Sequence, residues 1–110
     1  MNAIDSLTPV NDLSFASEVL AADRPVLVDV SAPWCPPCRA AEPVLADLAR
    51  ERARDLKVVR IDGEESPALV ALLGVRGFPT FLLYEHGHEV KRQAGFRGIQ
   101  ALRAFANTVP

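Results

Sequence analysis

Val26-Leu27-Val28-Asp29-Val30-Ser31, followed at once by Ala32-Pro33-Trp34-Cys35-Pro36-Pro37-Cys38, decides the fold. The first six residues are an apolar run interrupted by a single acid, and they read as a buried strand. The two cysteines are the only ones in the chain and stand three positions apart, ahead of a helical pattern. A strand, a Cys-x-x-Cys turn and a helix in that order read as a thiol–disulfide redox centre. At a helix N-terminus, unpaired backbone N–H groups and the positive end of the helix dipole favour a thiolate at Cys35. The thiolate, not the thiol, attacks disulfides. Cys38 lies one turn further on, within reach to resolve a mixed disulfide.

Composition narrows the function classes. The chain has 110 residues and 49% apolar content, enough for one domain with a real core, and 1–110 is expected to be a single domain. A net charge of −2 gives no argument for nucleic acid or an anionic membrane. No apolar run approaches a membrane span. Met1-Asn2-Ala3-Ile4-Asp5 lacks the basic and apolar regions of a signal peptide, so a cytosolic protein is expected. Two cysteines cannot staple a scaffold, and a bridge closing so short a loop adds little stability.

Outward from the redox stretch the elements alternate. Ile4–Leu7 is expected as a short edge strand. Asp12 is expected to cap a helix through about Ala21, with Phe15, Val19 and Leu20 on one face. After the strand Val26–Ser31, a helix from about Cys35 to Ala53 is expected to bury Ala40, Val44, Leu45 and Leu48. Val58–Asp62 reads as the next strand. Ser66-Pro67 suits the N-cap and first position of a short helix, which Gly74 stops. Phe81–Tyr84 and Glu89–Ala94 flank a hairpin turn at Glu85-His86-Gly87-His88. The last helix is expected from about Gly98 to Thr108, with Ile99, Leu102 and Phe105 inward. The pattern predicts an α/β protein with a mixed sheet covered on both faces. Alternation puts Leu27, Asp29 and Ser31 on one face of their strand, and Val26, Val28 and Val30 on the other. Asp29 is then buried, which is costly without a partner and raises its pKa.

At this point the chain resembles the thioredoxin family over nearly its whole length. The resemblance rests on Trp34–Cys38, Asp29 six residues before Cys35, Pro43 five residues after Cys38, and Phe78-Pro79-Thr80 before a strand. It implies the thioredoxin fold, a central mixed five-stranded sheet in the order 1-3-2-4-5 flanked by four helices, and dithiol–disulfide exchange. It makes Cys35 the exposed nucleophile, Cys38 the buried resolving thiol and Asp29 the proton acceptor for Cys38 through water. It implies a cis bond at Phe78-Pro79, with Pro79 against the sulfurs and the Phe78 backbone open to an extended substrate, as in β-strand addition. Trp34, Pro36, Pro37, Gly77, Phe78 and Gly95 are the expected substrate-binding residues. Gly77 and Gly95 also read as ordinary turn glycines, and Arg39 as a solvated helix charge.

A metal site is the main rival for the cysteines. Zinc wants four ligands, and only His86 and His88 are left to join the pair, at a spacing unlike a finger's. No metal is expected. A partly solvated Asp29 and a trans Pro79 that merely begins a strand are the plainer alternatives.

Three features depart from the family pattern. Pro36-Pro37 stands where Gly-Pro is usual. Pro36 has no N–H to offer the Cys35 sulfur, which disfavours the reduced thiolate, while Pro37 disfavours helical angles at Pro36 and strains the turn. Pro-Pro also occurs in membrane-tethered relatives of the cytochrome-maturation kind, but the short interval from Pro43 to Asp62 fits that subgroup poorly. Ser31 replaces the usual Trp. Anchoring on Ile61-Asp62 puts Val58 at the family's strand lysine, with Lys57 on the opposite face, which leaves Asp29 without a cationic neighbour. The same anchoring leaves two extra residues near Glu64-Glu65-Ser66, taken up by a longer third helix or a bulging loop.

The expected function is a protein-disulfide reductase that maintains cell redox homeostasis. It would bind no cofactor, work as a monomer and draw on NADPH through a flavoprotein, a thioredoxin reductase. Two alternatives stand beside it: a thiol oxidase or isomerase on the same fold, and a non-enzymatic adaptor or chaperone.

Overall fold

The computed structural model describes residues 7–107. Five strands form one sheet: β1 (Thr8–Val10), β2 (Val26–Ser31), β3 (Lys57–Asp62), β4 (Thr80–Glu85) and β5 (His88–Ala94). Their order is β1-β3-β2-β4-β5. β3 pairs in parallel with β1 and β2, while β4 runs antiparallel to β2 and β5. This is the mixed sheet and order that the resemblance implies. Of the expected edge strand Ile4–Leu7, Ile4–Ser6 lie outside the described residues and Leu7 is a bend; pairing begins at Thr8. Pro9 is tolerated in β1 because the strand is at the sheet edge.

Both faces are covered. Leu27, Val58, Phe81 and Leu83 pack under α1 (Pro36–Glu51) and α3 (Ile99–Phe105) through Ala41, Leu45, Leu48 and Leu102. Val26, Val28, Val30, Val59 and Ile61 pack on the other face with Phe15, Val19 and Leu69. The latter come from a π-helical turn (Ala16–Leu20), its approach, and α2 (Pro67–Leu72). The alternation read from β2 therefore holds.

Several local expectations need correction. Asn11, not Asp12, caps the first turn, its side-chain oxygen accepting from the Leu13 and Ser14 N–H groups at 2.9 and 3.2 Å. The turn is π-helical, with the Ala21 N–H donating to the Ala16 carbonyl, and this wider winding rotates Leu20 into solvent. In α1 the inward positions run Cys38, Ala41, Val44, Leu45 and Leu48, so Ala41 is buried and Ala40 faces out. Ile99 is exposed because it opens α3, where only Leu102 and Phe105 reach the core. Thr108, the expected end of that helix, lies outside the described residues.

The extra residues before α2 go into the loop. Asp62 closes a tight turn, its carbonyl accepting from Ser66 and its carboxylate from Glu64, and α2 stays six residues long. The hairpin turn is His86-Gly87, both at positive φ (53° and 80°), the two-residue turn that matches strand twist.

Candidate active site

Cys35 is the N-cap of α1, with extended backbone angles, and Pro36 and Pro37 fill the first helical positions. Prolines suit those positions because their missing N–H groups have no helical partner there. The first free N–H, that of Cys38, donates to the Cys35 Sγ at 3.3 Å. Both cysteines are free thiols. Cys38 is fully buried, as expected. Cys35 is only 3% exposed and so is not the open nucleophile expected of it; it packs with Ala32, Cys38 and Phe78. Its Sγ lies 3.7 Å from the Phe78 carbonyl oxygen.

The Phe78-Pro79 peptide bond is cis. Pro79 is buried, and its carbonyl accepts from the Gly95 N–H at 2.8 Å, which ties the loop before β4 to the loop after β5. Gly77, Phe78, Pro79 and Gly95 line a shallow cavity of about 310 Å³. Nothing lies within 4 Å of a side chain built at Gly77 or Gly95, so their surface is open. Trp34, 59% exposed, meets the Phe78 ring edge-on at 6.3 Å. Pro36 and Pro37 are exposed on the first turn of α1. Of the six expected binding residues, Phe78 packs against the two cysteines and shares its cavity with Gly77 and Gly95, while Trp34, Pro36 and Pro37 are neighbours of Cys35 in the chain. Arg39 is exposed, and its Nε donates to the Pro33 carbonyl.

One residue of this surface escaped sequence reasoning. A Cβ at Gly63 would meet the Phe78 ring at 2.2 and 2.4 Å. Gly63 is the floor on which Phe78 lies, and its N–H donates to the Ser31 carbonyl at 2.8 Å. Only the glycine after β3 was available as a signal.

Asp29 lies on the face of β2 that α1 covers and is completely buried. Burial raises its pKa from the ordinary 3.8 to about 6, against the Ser31 hydrogen bond and Arg60, which lower it, and with Glu42, which raises it. The Ser31 hydroxyl donates to Asp29 Oδ1, while Oδ2 has no hydrogen-bond partner among the described residues. The expectation that Asp29 lacks a cation is corrected. Arg60 lies opposite it in the β2–β3 register, with Nε 3.9 Å from Oδ2, and also pairs with Glu42 at 2.9 Å. Lys57 does point away, to Glu18. Arg60 and Glu42 line a cavity of about 680 Å³, so this pair stands between Asp29 and open space. Burial also raises the Cys38 pKa, from 9.0 to about 11; the Cys35 side chain adds to the rise, and hydrogen bonding with the Ala32 backbone and the Ser31 side chain opposes it.

Among the described residues no three His, Cys, Asp or Glu side chains gather as metal ligands, and His86 and His88 sit in and beside the hairpin turn. No described helix is long and apolar enough to cross a membrane.

The Thioredoxin family model matches residues 6–108. A thioredoxin from Mycobacterium tuberculosis (strain ATCC 25618 / H37Rv) is 43% identical over 102 residues, covering 92% of this chain and 88% of that protein. A thioredoxin from Porphyra purpurea is 41% identical over 90 residues, covering 82% and 84%. A bifunctional thioredoxin reductase/thioredoxin from Mycobacterium leprae (strain TN) is 39% identical over 102 residues, covering 92% of this chain and 22% of that protein.

Proposed function

The chain belongs to the thioredoxin family and is a thiol–disulfide oxidoreductase, and on that premise we propose that it reduces protein disulfides by a Cys35–Cys38 cycle. The Cys38 N–H on the Cys35 Sγ carries this reading, because it orients the attacking sulfur at the head of α1. Cys35 attacks a substrate sulfur and forms the mixed disulfide. Cys38 then attacks Cys35 Sγ, and the substrate leaves as a thiolate. Burial keeps the Cys38 thiol protonated at neutral pH, so the second step needs a base. Asp29, with a pKa of about 6, is the proton acceptor. Pro79 and the Phe78 backbone position an extended segment over Cys35. Trp34, Pro36, Pro37, Gly77, Phe78 and Gly95 form the docking surface.

The oxidised protein is re-reduced by a thioredoxin reductase drawing on NADPH, with no cofactor held in this domain. The fusion of these two activities in the Mycobacterium leprae relative supports that partner. We place the protein in the cytoplasm, as a monomer that carries electrons to many substrates.

Insulin reduction tests the cycle. Cys35→Ser abolishes it, and Cys38→Ser traps covalent substrate adducts. Turnover surviving in both variants refutes the mechanism. A Cys35–Cys38 potential near −270 mV fits a reductase, whereas one between about −180 and −120 mV marks an oxidant or isomerase.

A further inference from the structure

Resting on the cycle above, we propose that the Ser31 hydroxyl is the proton relay between Cys38 and Asp29. Asp29, Ser31 and Cys38 all have 0% relative exposure, and the Ser31 side chain acts on both of the others: it hydrogen-bonds Asp29 and lowers the Cys38 pKa. Ser31 ends β2 two residues after Asp29, on the same face, and Ala32 leads straight into the cluster that holds Cys35 and Cys38. Its hydroxyl already donates to Asp29 Oδ1. A hydroxyl has two lone pairs besides its proton, so the same oxygen can accept from a thiol while it donates to a carboxylate. A large apolar side chain at position 31 would lack this capacity.

The surrounding groups fit one direction of transfer. Facing Asp29 are Arg60 from β3 and Glu42 from α1, while β4 presents the apolar Phe81 in register. Arg60 already pairs with Glu42, and a guanidinium cannot take up a proton. Oδ1 is therefore the acceptor next to the hydroxyl. In the step, the Cys38 Sγ–H bond breaks and its proton passes to Ser31 Oγ. The Ser31 proton passes to Asp29 Oδ1. Cys38 Sγ bonds to Cys35 Sγ, the mixed-disulfide bond breaks, and the substrate sulfur leaves with the electron pair. The cysteines are oxidised and the substrate is reduced.

The test is a single turnover of the reduced protein with substoichiometric dithiobis(nitrobenzoate), followed by stopped flow from pH 5 to 9. The first thionitrobenzoate reports attack by Cys35, and the second reports resolution by Cys38. S31A should leave attack at the wild-type rate, which also shows an intact site. It should lower the high-pH plateau of resolution about tenfold, within the range of general acid–base effects. S31T should keep the wild-type plateau, and S31A added to D29N should slow resolution no further. The wild-type resolving phase should depend non-linearly on deuterium fraction, as two protons in flight require. A change of midpoint alone in S31A, with the plateau intact, overturns the relay, as does a linear deuterium dependence. If D29N resolves at the wild-type rate, the role given to Asp29 is wrong and the relay falls with it. Slow D29N with a wild-type S31A plateau removes the relay alone.

Discussion

Replacing Asp29 by Asn should make the reduced protein more stable at neutral pH. The carboxyl is fully buried, and its pKa rises from 3.8 to about 6, burial being the main cause. A difference of that size is worth about 3 kcal/mol between the protonated and ionised forms. The folded state binds the proton more tightly than the unfolded chain, so wild-type stability is greatest below the unfolded value. It falls as pH rises through the interval from 3.8 to about 6, and the full penalty remains above that. Asparagine keeps the volume and the oxygen that accepts from Ser31, but carries no charge. Arg60 keeps Glu42 as its partner. The amide N–H groups find no acceptor at the unpaired Oδ2 position, which takes back part of the gain. The net expectation is a gain of roughly 1–3 kcal/mol at pH 7.5, shrinking towards pH 4. Urea unfolding of both proteins under reducing conditions at intervals from pH 4 to 8 measures it. A wild-type stability that is flat over this range, or an Asn variant less stable at pH 7.5, refutes the reasoning.

Arg60→Met removes the cation beside Asp29 and frees Glu42, and both changes raise the Asp29 pKa above about 6. A carbon-detected carboxyl titration should show the midpoint moving up. Gly63→Ala drives a methyl into the Phe78 ring, at an expected cost of roughly 1–3 kcal/mol. It should raise KM for a protein disulfide while a small aromatic disulfide reacts at the wild-type rate. Leu45→Ala empties a fully buried position between α1 and the sheet, and should lower stability by about 2–5 kcal/mol in the same unfolding assay.

What was legible in the sequence was local. Cys-Pro-Pro-Cys after an apolar strand fixed the N-cap, and His86-Gly87 between two β-patterned runs fixed a hairpin. The face of Asp29 followed from the period of a strand. The misses depend on how distant segments meet. Arg60 faces Asp29 because of the β2–β3 register, which an alignment anchored on Ile61-Asp62 does not carry. Gly63 matters only because Phe78, fifteen positions on, lies over it. The depth of Cys35 depends on the loop before β4 closing over it, and no spacing within α1 carries that. Apolar character alone does not choose between the neighbouring alanines Ala40 and Ala41, and the helix phase buries Ala41.

The near-complete cover over Cys35 makes the proposed enzyme a judge of its client's mobility. A disulfide clamped inside a rigid, well-packed protein cannot come down past Phe78 to a cysteine that is 3% exposed. A disulfide on a slack loop or an unfolding segment can. In the proposed cycle the order in which clients are reduced is then set by how often each loosens its own bridge, so the client's local opening, and not its sequence, decides which one is served first.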